Sequence, residues 1–217
     1  MPGVIVKICG LSTAPTLEAT IAAGADMAGF VFFEKSPRHI TLETARELGR
    51  VAQGRIRKVA LTVDADDSTL DAIVAALAPD LLQLHGAETP ERVAATKARF
   101  GLPIIKAIGV AGAADVARAA AFREAADILL FDAKPAPNAA VPGGAGTVFD
   151  WELMRGYGGG DSMLSGGLDA ANVAEALRLT GAPALDVSSG VERERGVKDE
   201  AMIAAFVAAA RKGGAFF

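Results

Sequence analysis

The only cysteine of the chain, Cys9, ends a short apolar stretch close to the N-terminus. The stretch 4–9 is rich in β-branched residues and is followed by Gly10, a pattern typical of a buried strand. Side chains alternate along a strand, so Ile5, Lys7 and Cys9 share one face. A thiol beside an ammonium group can lose its proton and act as a base. The other interpretation of Cys9 is a small buried hydrophobe.

A second ionisable group, Asp132, ends an apolar run, Ile128-Leu129-Leu130-Phe131. A carboxyl group delivered by a run without other polar side chains is a candidate acid or base. Together Cys9 and Asp132 suit proton transfer at two positions on one substrate. Asp132 can instead cap the loop that follows its strand.

Strand-like runs that alternate with helical stretches would position these groups. Each of eight apolar runs has a plausible helix after it, at intervals of about 20 to 35 residues, as in repeated strand–helix units. The predicted strands are residues 4–9, 27–33, 56–63, 81–85, 103–107, 128–132, 162–165 and 184–188. The clearest predicted helices are residues 16–23, 42–51, 68–77, 90–100, 113–122, 170–179 and 199–210.

This alternation predicts a parallel sheet covered by helices. Eight units favour closure into a single-domain (β/α)₈ TIM barrel that spans residues 1–217. An open doubly wound sheet is the second possibility, although no G-x-G-x-x-G motif follows the first strand.

The carboxyl ends of barrel strands meet at one mouth, where active sites lie. The irregular segment 134–146 follows strand six there, and a loop of this length is expected to be functional or mobile. His85 at such a strand end is either a substrate contact or a hydrogen-bonded structural residue. The polar residues expected at the mouth are Cys9, Arg38, Asp64, Gln83, His85, Asp132, Asp186, Ser188 and Ser189.

Two Ser/Gly-rich loops follow strands seven and eight: Ser165-Gly166-Gly167-Leu168 and Ser188-Ser189-Gly190. Glycines let backbone N–H groups approach an anion, and these two loops form the usual phosphate site of such barrels. We therefore predict a phosphorylated small molecule as the substrate. Gly144, in a glycine-rich part of segment 134–146, can add further backbone donors. Tight turns are the alternative explanation for the glycines.

Composition excludes several classes of protein. The net charge of −4 argues against a general nucleic-acid binder. No apolar run approaches the roughly 18 residues that a membrane span needs, and we see no secretion signal. One cysteine agrees with a cytoplasmic location. Two histidines and one cysteine provide no zinc-type cluster, and Glu192–Glu194 is interpreted as solvated surface.

Seven short motifs occur in order along nearly the whole chain, and their combination is specific. They are Lys7-Ile8-Cys9-Gly10, Ser36-Pro37-Arg38, Gln83-Leu84-His85-Gly86, Phe131-Asp132, Phe149-Asp150-Trp151, Ser165-Gly166-Gly167-Leu168 and Asp186-Val187-Ser188-Ser189-Gly190-Val191-Glu192.

Taken together, these motifs resemble the phosphoribosylanthranilate isomerase family of tryptophan biosynthesis. The resemblance implies an Amadori rearrangement of N-(5-phosphoribosyl)anthranilate to 1-(2-carboxyphenylamino)-1-deoxyribulose 5-phosphate, without cofactor or metal. Ala145 and Ser165 depart from the family, which commonly has threonine and alanine there.

The resemblance also implies roles for individual residues. Cys9 would be the general base and Asp132 the general acid, while Arg38 would offer a planar fork to the anthranilate carboxylate. We expect Lys7 to favour the thiolate of Cys9. The remaining predicted substrate contacts are Gln83, His85, Gly144, Gly166, Gly167, Asp186, Ser188, Ser189 and Gly190.

Other functions fit the same barrel. One is another phosphosugar isomerase, epimerase or lyase, and Lys106 on strand five keeps indole-ring closure among the possibilities. Another is a barrel that binds a phosphorylated ligand without turning it over. The sequence is compatible with a monomer or a homodimer.

Overall fold

The computed structural model describes residues 3–134, 148–155, 157 and 161–214. Their eight parallel strands hydrogen-bond in chain order and close into a barrel, because β8 also pairs with β1. This confirms the predicted (β/α)₈ TIM barrel. The barrel strands are Ile5–Cys9 (β1), Met27–Phe32 (β2), Arg57–Thr62 (β3), Leu81–Leu84 (β4), Ile104–Val110 (β5), Ile128–Ala133 (β6), Ser162–Leu164 (β7) and Ala184–Val187 (β8).

Helices surround the described part of this barrel. Three of them begin after a threonine, Thr13, Thr41 or Thr89, whose side chain accepts a hydrogen bond from the N–H three residues later. The α-helices are Ala14–Ala22 (α1), Leu42–Ala52 (α2), Asp67–Leu77 (α3), Pro90–Phe100 (α4), Ala113–Arg118 (α5), Val173–Thr180 (α6) and Glu200–Gly214 (α7).

The alternation of side chains along the strands divides the core. Val6 and Ile8 of β1 face outward and pack with residues from the helices, such as Phe206 of α7. Inside the barrel, residues near the strand starts form an apolar cluster that closes the lower end. Near the strand ends Cys9 packs with Val31 and Leu61. Polar groups are thereby concentrated at the mouth.

Two segments depart from the strand–helix alternation. Between β6 and β7 we expected an α-helix, but the helical segment among the described residues is a 3₁₀ turn, Trp151–Met154. After β8 a short antiparallel hairpin precedes α7, and its strands are Glu192–Glu194 (β9) and Val197–Lys198 (β10). Within the described ranges, the helices are too short or too polar to cross a membrane.

Candidate active site

Cys9 lies inside the barrel mouth, where it is 3% exposed. Lys7, two residues earlier on the same face, is fully buried. Gly29 of β2 is the register partner of Cys9. A Cβ atom added to Gly29 would lie 3.0 Å from both Cys9 Sγ and Lys7 Nζ. The thiol and the ammonium group therefore meet in the space that a glycine leaves open.

Asp186 of β8 completes this group from the other side of β1. Its Oδ1 accepts a hydrogen bond of 2.7 Å from Lys7 Nζ, and its Oδ2 accepts one of 3.2 Å from the hydroxyl of Ser165. Both charged side chains are almost completely buried. Asp186 is thus held by an ammonium group and a hydroxyl.

The pKa of the Cys9 thiol reflects opposing effects. Burial raises this pKa, while the nearby Lys7 ammonium lowers it, and the net direction is upward. For Lys7 itself, burial acts to lower the pKa, but the interactions with Asp186 and Cys9 reverse that effect and raise it. Lys7 therefore remains an ammonium group and acts to lower the pKa of the thiol, but burial outweighs its influence.

Asp132 lies near the end of β6 and is 5% exposed. Its Oδ1 accepts a hydrogen bond of 2.9 Å from the N–H of Ala133, and its Oδ2 lies 3.4 Å from Nε2 of His85. Gln83 Nε2 lies 3.0 Å from the other ring nitrogen, Nδ1. Gln83 therefore contacts one ring nitrogen of His85, and the other ring nitrogen faces Asp132. Gln83, His85 and Asp132 thus lie in a row at the mouth, each in contact with the next.

The loops after β7 and β8 are packed tightly against the strand ends. Gly166 has a φ of +87°, and a Cβ there would lie 2.6 Å from the backbone nitrogen of Ala133 and 3.2 Å from Asp132 Oδ1. A Cβ at Gly190 would lie 1.9 Å from the carbonyl oxygen of Leu168. Only glycine fits at either position, so the two loops adjoin each other and the carboxyl group of Asp132.

A buried ion cluster lies beside the loop after β8. The Lys198 ammonium group donates hydrogen bonds to Glu192 Oε1 at 2.8 Å and to the carbonyl oxygen of Ser188 at 2.8 Å. Arg38 donates to both oxygens of Glu192, from Nε at 2.7 Å and Nη2 at 2.9 Å. The prediction that Glu192 is solvated surface is wrong, because its side chain is 4% exposed.

Arg38 lies close to the predicted base. A Cβ at Gly10, the residue after Cys9, would lie 2.5 Å from Arg38 Cδ, so the stem of the arginine crosses the chain directly after the cysteine. The Nε–Nη2 edge of its guanidinium is bonded to Glu192. The guanidinium group of Arg38, which we predicted to bind a substrate carboxylate, thus already binds the carboxylate of Glu192 through Nε and Nη2.

Lys106 lies outside the barrel interior. Its neighbours Ile105 and Ala107 belong to the interior cluster, so Lys106 points toward the outer layer. There its Nζ donates to the carbonyl oxygen of Gly86 and to Glu88 Oε2, both at 2.8 Å. Indole-ring closure thereby loses the lysine that kept it among the alternatives.

Glu88 and Asp64 tie the loop after β4 to the loop after β3. Glu88 accepts hydrogen bonds from the N–H groups of Asp64 and Gly86, and Asp64 Oδ1 accepts one of 2.7 Å from Ala87 N. The Asp64 carboxylate, expected among the polar groups of the mouth, thus has a structural partner. This network fixes the loop that begins with His85.

Gly144 lies outside the described residues, as does most of segment 134–146. Within the described ranges, no cluster of histidine, cysteine, aspartate and glutamate side chains is suited to hold a metal ion.

Comparison with known proteins identifies the family. The family model described as N-(5'phosphoribosyl)anthranilate (PRA) isomerase matches residues 6–209 of this chain. The chain belongs to the phosphoribosylanthranilate isomerase family. The match spans all eight barrel strands, from β1 to β8.

Similar phosphoribosylanthranilate isomerases occur in several bacteria. The N-(5'-phosphoribosyl)anthranilate isomerase of Rhodopseudomonas palustris (strain BisB5) is 59% identical over 209 residues, covering 96% of each chain. The enzyme of the same name from Azorhizobium caulinodans is 58% identical over 207 residues, covering 95% of this chain and 91% of that protein.

Solved structures of phosphoribosylanthranilate isomerases share the fold. The Thermotoga maritima enzyme has a TM-score of 0.86 and 34% identity, covering 96% of this chain and 99% of that one. A second isomerase structure, in complex with reduced 1-(o-carboxyphenylamino)-1-deoxyribulose 5-phosphate, has a TM-score of 0.83 and 32% identity, with the same coverage.

Three residues around the phosphoribosylanthranilate isomerase site were missed by the sequence analysis: Glu88, Glu192 and Lys198. Each is a charged residue with a buried side chain that contacts a loop of the mouth. Lys198 follows Gly196, whose φ of +86° makes the tight turn of the β9–β10 hairpin. The Glu–Arg–Glu–Arg–Gly pattern before it could have indicated a hairpin rather than a loop.

Proposed function

We propose that this enzyme converts N-(5'-phosphoribosyl)anthranilate into 1-(2-carboxyphenylamino)-1-deoxyribulose 5-phosphate, with Cys9 as general base and Asp132 as general acid. Membership of the family supports the reaction. One observation supports the roles: Cys9, at the end of β1, and Asp132, near the end of β6, lie in the same mouth. Cys9 lies beside Lys7, and Asp132 lies beside His85.

The reaction needs two proton transfers at different atoms of the substrate. Asp132 gives a proton to the ribose ring oxygen, so that the bond from this oxygen to C1′ breaks and a Schiff base forms. The Cys9 thiolate then removes the proton from C2′, which gives an enolamine that tautomerises to the ketone. The ammonium group of Lys7 stabilises the thiolate in a site where burial opposes it.

The substrate phosphate would bind at the loops after β7 and β8. Gly166 and Gly167 have φ values of +87° and +65°, which only glycine adopts without strain. The 3₁₀ turn Ser189–Val191 begins in the second loop, and the first N–H groups of such a turn have no partner within it. Close backbone approach and outward N–H groups suit a phosphate dianion.

The anthranilate carboxylate would lie toward Arg38, whose side chain crosses Gly10 next to the base. Glu192 already accepts hydrogen bonds from Nε and Nη2 of Arg38, so the substrate carboxylate would bind beside this ion pair. We propose that Gln83, His85 and Asp186 act mainly on the protein groups that face the substrate, since each is hydrogen-bonded at the mouth. Sedimentation analysis would show whether this protein is a monomer or a homodimer; one similar structure is of monomers generated from the dimeric T. maritima isomerase.

Steady-state turnover of N-(5'-phosphoribosyl)anthranilate without added metal tests this proposal, together with the variants Cys9→Ala and Asp132→Asn. We expect turnover by the parent protein and a loss of several orders of magnitude in both variants, with binding of inorganic phosphate retained. Gly167→Glu is expected to raise KM by opposing the phosphate. No turnover by a folded parent that still binds sugar phosphates would favour another phosphosugar reaction or a binding protein.

A further inference from the structure

The ammonium group of Lys198 uses its hydrogen-bonding capacity completely. It donates to the carbonyl oxygen of Ser188 at 2.8 Å, to the hydroxyl of Ser188 at 3.1 Å and to Glu192 Oε1 at 2.8 Å. An ammonium group has three N–H donors, and its side chain is 1% exposed. Lys198 is therefore placed to hold protein groups rather than to contact the substrate.

The hydroxyl of Ser188 connects Lys198 to Cys9, the predicted base, through two hydrogen bonds. Lysine can only donate, so the Ser188 oxygen accepts from Lys198 and its own proton is directed elsewhere. That proton goes to the carbonyl oxygen of Cys9, 3.1 Å away. A continuous path thus leads from Lys198 through Ser188 to the main chain of Cys9, and the Ser188 hydroxyl is not needed as a phosphate donor.

Lys198 is itself fixed from the opposite side. Glu192 accepts hydrogen bonds from Arg38, Lys198 and the N–H of Gly196. A Cβ at Gly196 would lie 2.8 Å from the carbonyl oxygen of Pro37, so the hairpin turn rests on the loop after β2. The hairpin β9–β10 therefore brings a rigidly held cation to the junction of β8 and β1.

We propose that Lys198 is a positioning residue which, through Ser188, holds the phosphate loop after β8 in fixed register with the main chain of Cys9. This inference rests on the proposed function, because it concerns the distance between the bound phosphate and the base. A phosphate held in its loop fixes one end of the substrate, while proton removal at C2′ needs the thiol at a defined place. Loss of the link should impair the chemical step more than phosphate binding.

Charged groups from five elements surround this path, including Glu192 of β9. Lys7 of β1, Asp186 of β8 and Lys198 of β10 act on the thiol of Cys9, and Arg38 of the loop after β2 faces Lys198 through Glu192. Burial lowers the pKa of Lys198 to about 8, so it is an ammonium group at neutral pH. The removal of Lys198 thus takes away both a positive charge and a link, and the experiment must separate them.

The test compares Lys198→Met, Ser188→Ala and the double variant. Ser188→Ala removes the link and keeps the charge, and it leaves no buried ion without a partner. We expect each single variant to lower kcat, by as much as about 100-fold, with little change in the Kd for inorganic phosphate. Because the link from Lys198 to Cys9 passes through the Ser188 hydroxyl, and Lys198→Met loses the charge as well, the double variant should have the kcat of Lys198→Met.

Lys106→Met provides the matched control. Lys106 is likewise a buried lysine that donates to a carbonyl oxygen and a glutamate, but it lies on β5 and does not contact Ser188. The double variant Lys106→Met/Ser188→Ala should therefore lower kcat by the product of the two single-variant factors, as expected for independent sites. Alkylation of Cys9, the only cysteine, gives an independent measure of charge: its pH profile should shift to higher pH in Lys198→Met and stay in place in Ser188→Ala.

Each outcome distinguishes the two proposals. A parent without turnover overturns the function and this inference with it. With an active parent, multiplying effects of Lys198→Met and Ser188→Ala, or a parental kcat in Ser188→Ala, overturn the positioning role alone. If Lys198→Met does not fold, Lys198→Gln replaces it in the cycle, because its amide is uncharged and Glu192 keeps Arg38 as its partner.

Discussion

The ion pair between Lys7 and Asp186 spans the seam at which the first and last strands of the barrel meet. The two residues are register partners in β1 and β8, and 2.7 Å separates Lys7 Nζ from Asp186 Oδ1. Barrel closure therefore brings an ammonium group and a carboxylate together beside the thiol of Cys9. The pairing of β1 with β8 that closes the barrel thus also places two charges that act on the pKa of Cys9, the predicted base.

Lys7→Met should raise the pKa of Cys9, because it removes the cation that lowers this pKa and leaves the carboxylate of Asp186. The rate of Cys9 alkylation should then rise at higher pH than in the parent. Each pH unit by which the pKa rises reduces the thiolate fraction about tenfold at neutral pH. Turnover at neutral pH should fall accordingly.

The double variant Lys7→Met with Asp186→Asn controls for the unpaired carboxylate. Breaking a buried ion pair from one side costs about 3–5 kcal/mol of stability, whereas the neutral double variant leaves no uncompensated charge. Its alkylation profile should lie between those of the parent and Lys7→Met, because the effect of Lys7 on the thiol exceeds that of Asp186. An alkylation profile identical to the parent's in Lys7→Met would make the lysine purely structural.

Gly29→Ala should lower kcat by disturbing the thiol directly. The added methyl group would lie 3.0 Å from Cys9 Sγ and from Lys7 Nζ, so one or both must move. Extra volume in a packed core typically costs about 1–3 kcal/mol. Gly112→Ala is the matched control, since Gly112 has an extended φ of −166° and no atom lies within 4 Å of its added Cβ. Equal kcat in both variants would contradict this prediction.

The barrel could be predicted from the sequence because apolar strands and amphipathic helices are recognised from local residue patterns. The predicted strand at residues 128–132 corresponds to β6, Ile128–Ala133, and the predicted helix at 90–100 has the observed bounds of α4. The helix expected after β6 has no such counterpart among the described residues. Hydrophobic periodicity predicts the strands and helices. Their alternating order then predicts that the carboxyl ends of the strands form the mouth of a barrel.

The ion pairs at the mouth could not be predicted in this way. Arg38 and Glu192 lie 154 positions apart in sequence, and only barrel closure with the β9–β10 hairpin brings them together. A Glu–Arg–Glu–Arg run is typical of an exposed surface segment. Its first residue, Glu192, is buried only because of a partner that is distant in sequence, Arg38. The contact of His85 with Asp132 joins the ends of β4 and β6 across the mouth, with β5 between them, and sequence spacing does not reveal it.

Gly166→Ala should impair the proposed acid. Its Cβ would lie 2.6 Å from Ala133 N, the group that donates a hydrogen bond to Asp132 Oδ1. Because the φ of Gly166 is +87°, alanine there also carries a strain of about 1–2 kcal/mol. We expect a lower melting temperature and a marked fall in kcat, measured by thermal unfolding and steady-state kinetics.

Gly181→Ala is the control that introduces the backbone strain of a positive φ without a steric clash. Gly181 ends α6 with a φ of +62°, and no atom lies within 4 Å of its added Cβ. It should lose only the stability that backbone strain accounts for, less than Gly166→Ala, and keep its kcat. A parental kcat in Gly166→Ala would show that Asp132 tolerates a displaced neighbour.

Glu192→Gln should reduce stability in a pH-dependent manner. Burial acts to raise the pKa of Glu192, but hydrogen bonds and charges from Arg38 and Lys198 lower it to about 2. Since the pKa is lower in the folded than in the unfolded protein, ionised Glu192 contributes stability above pH 4.5. That contribution is lost as the pH falls from about 4.5 toward 2.

The free energy of unfolding, measured by urea titration from pH 7 to pH 3, checks this prediction. The stability difference between the parent and Glu192→Gln should be largest near neutral pH and shrink on acidification. Glu175→Gln is the control, because Glu175 forms an exposed pair with Arg178, and exposed pairs contribute little. A difference for Glu192→Gln that stays constant with pH would mean that its carboxylate gains nothing from the two cations, although two positive groups share one negative partner.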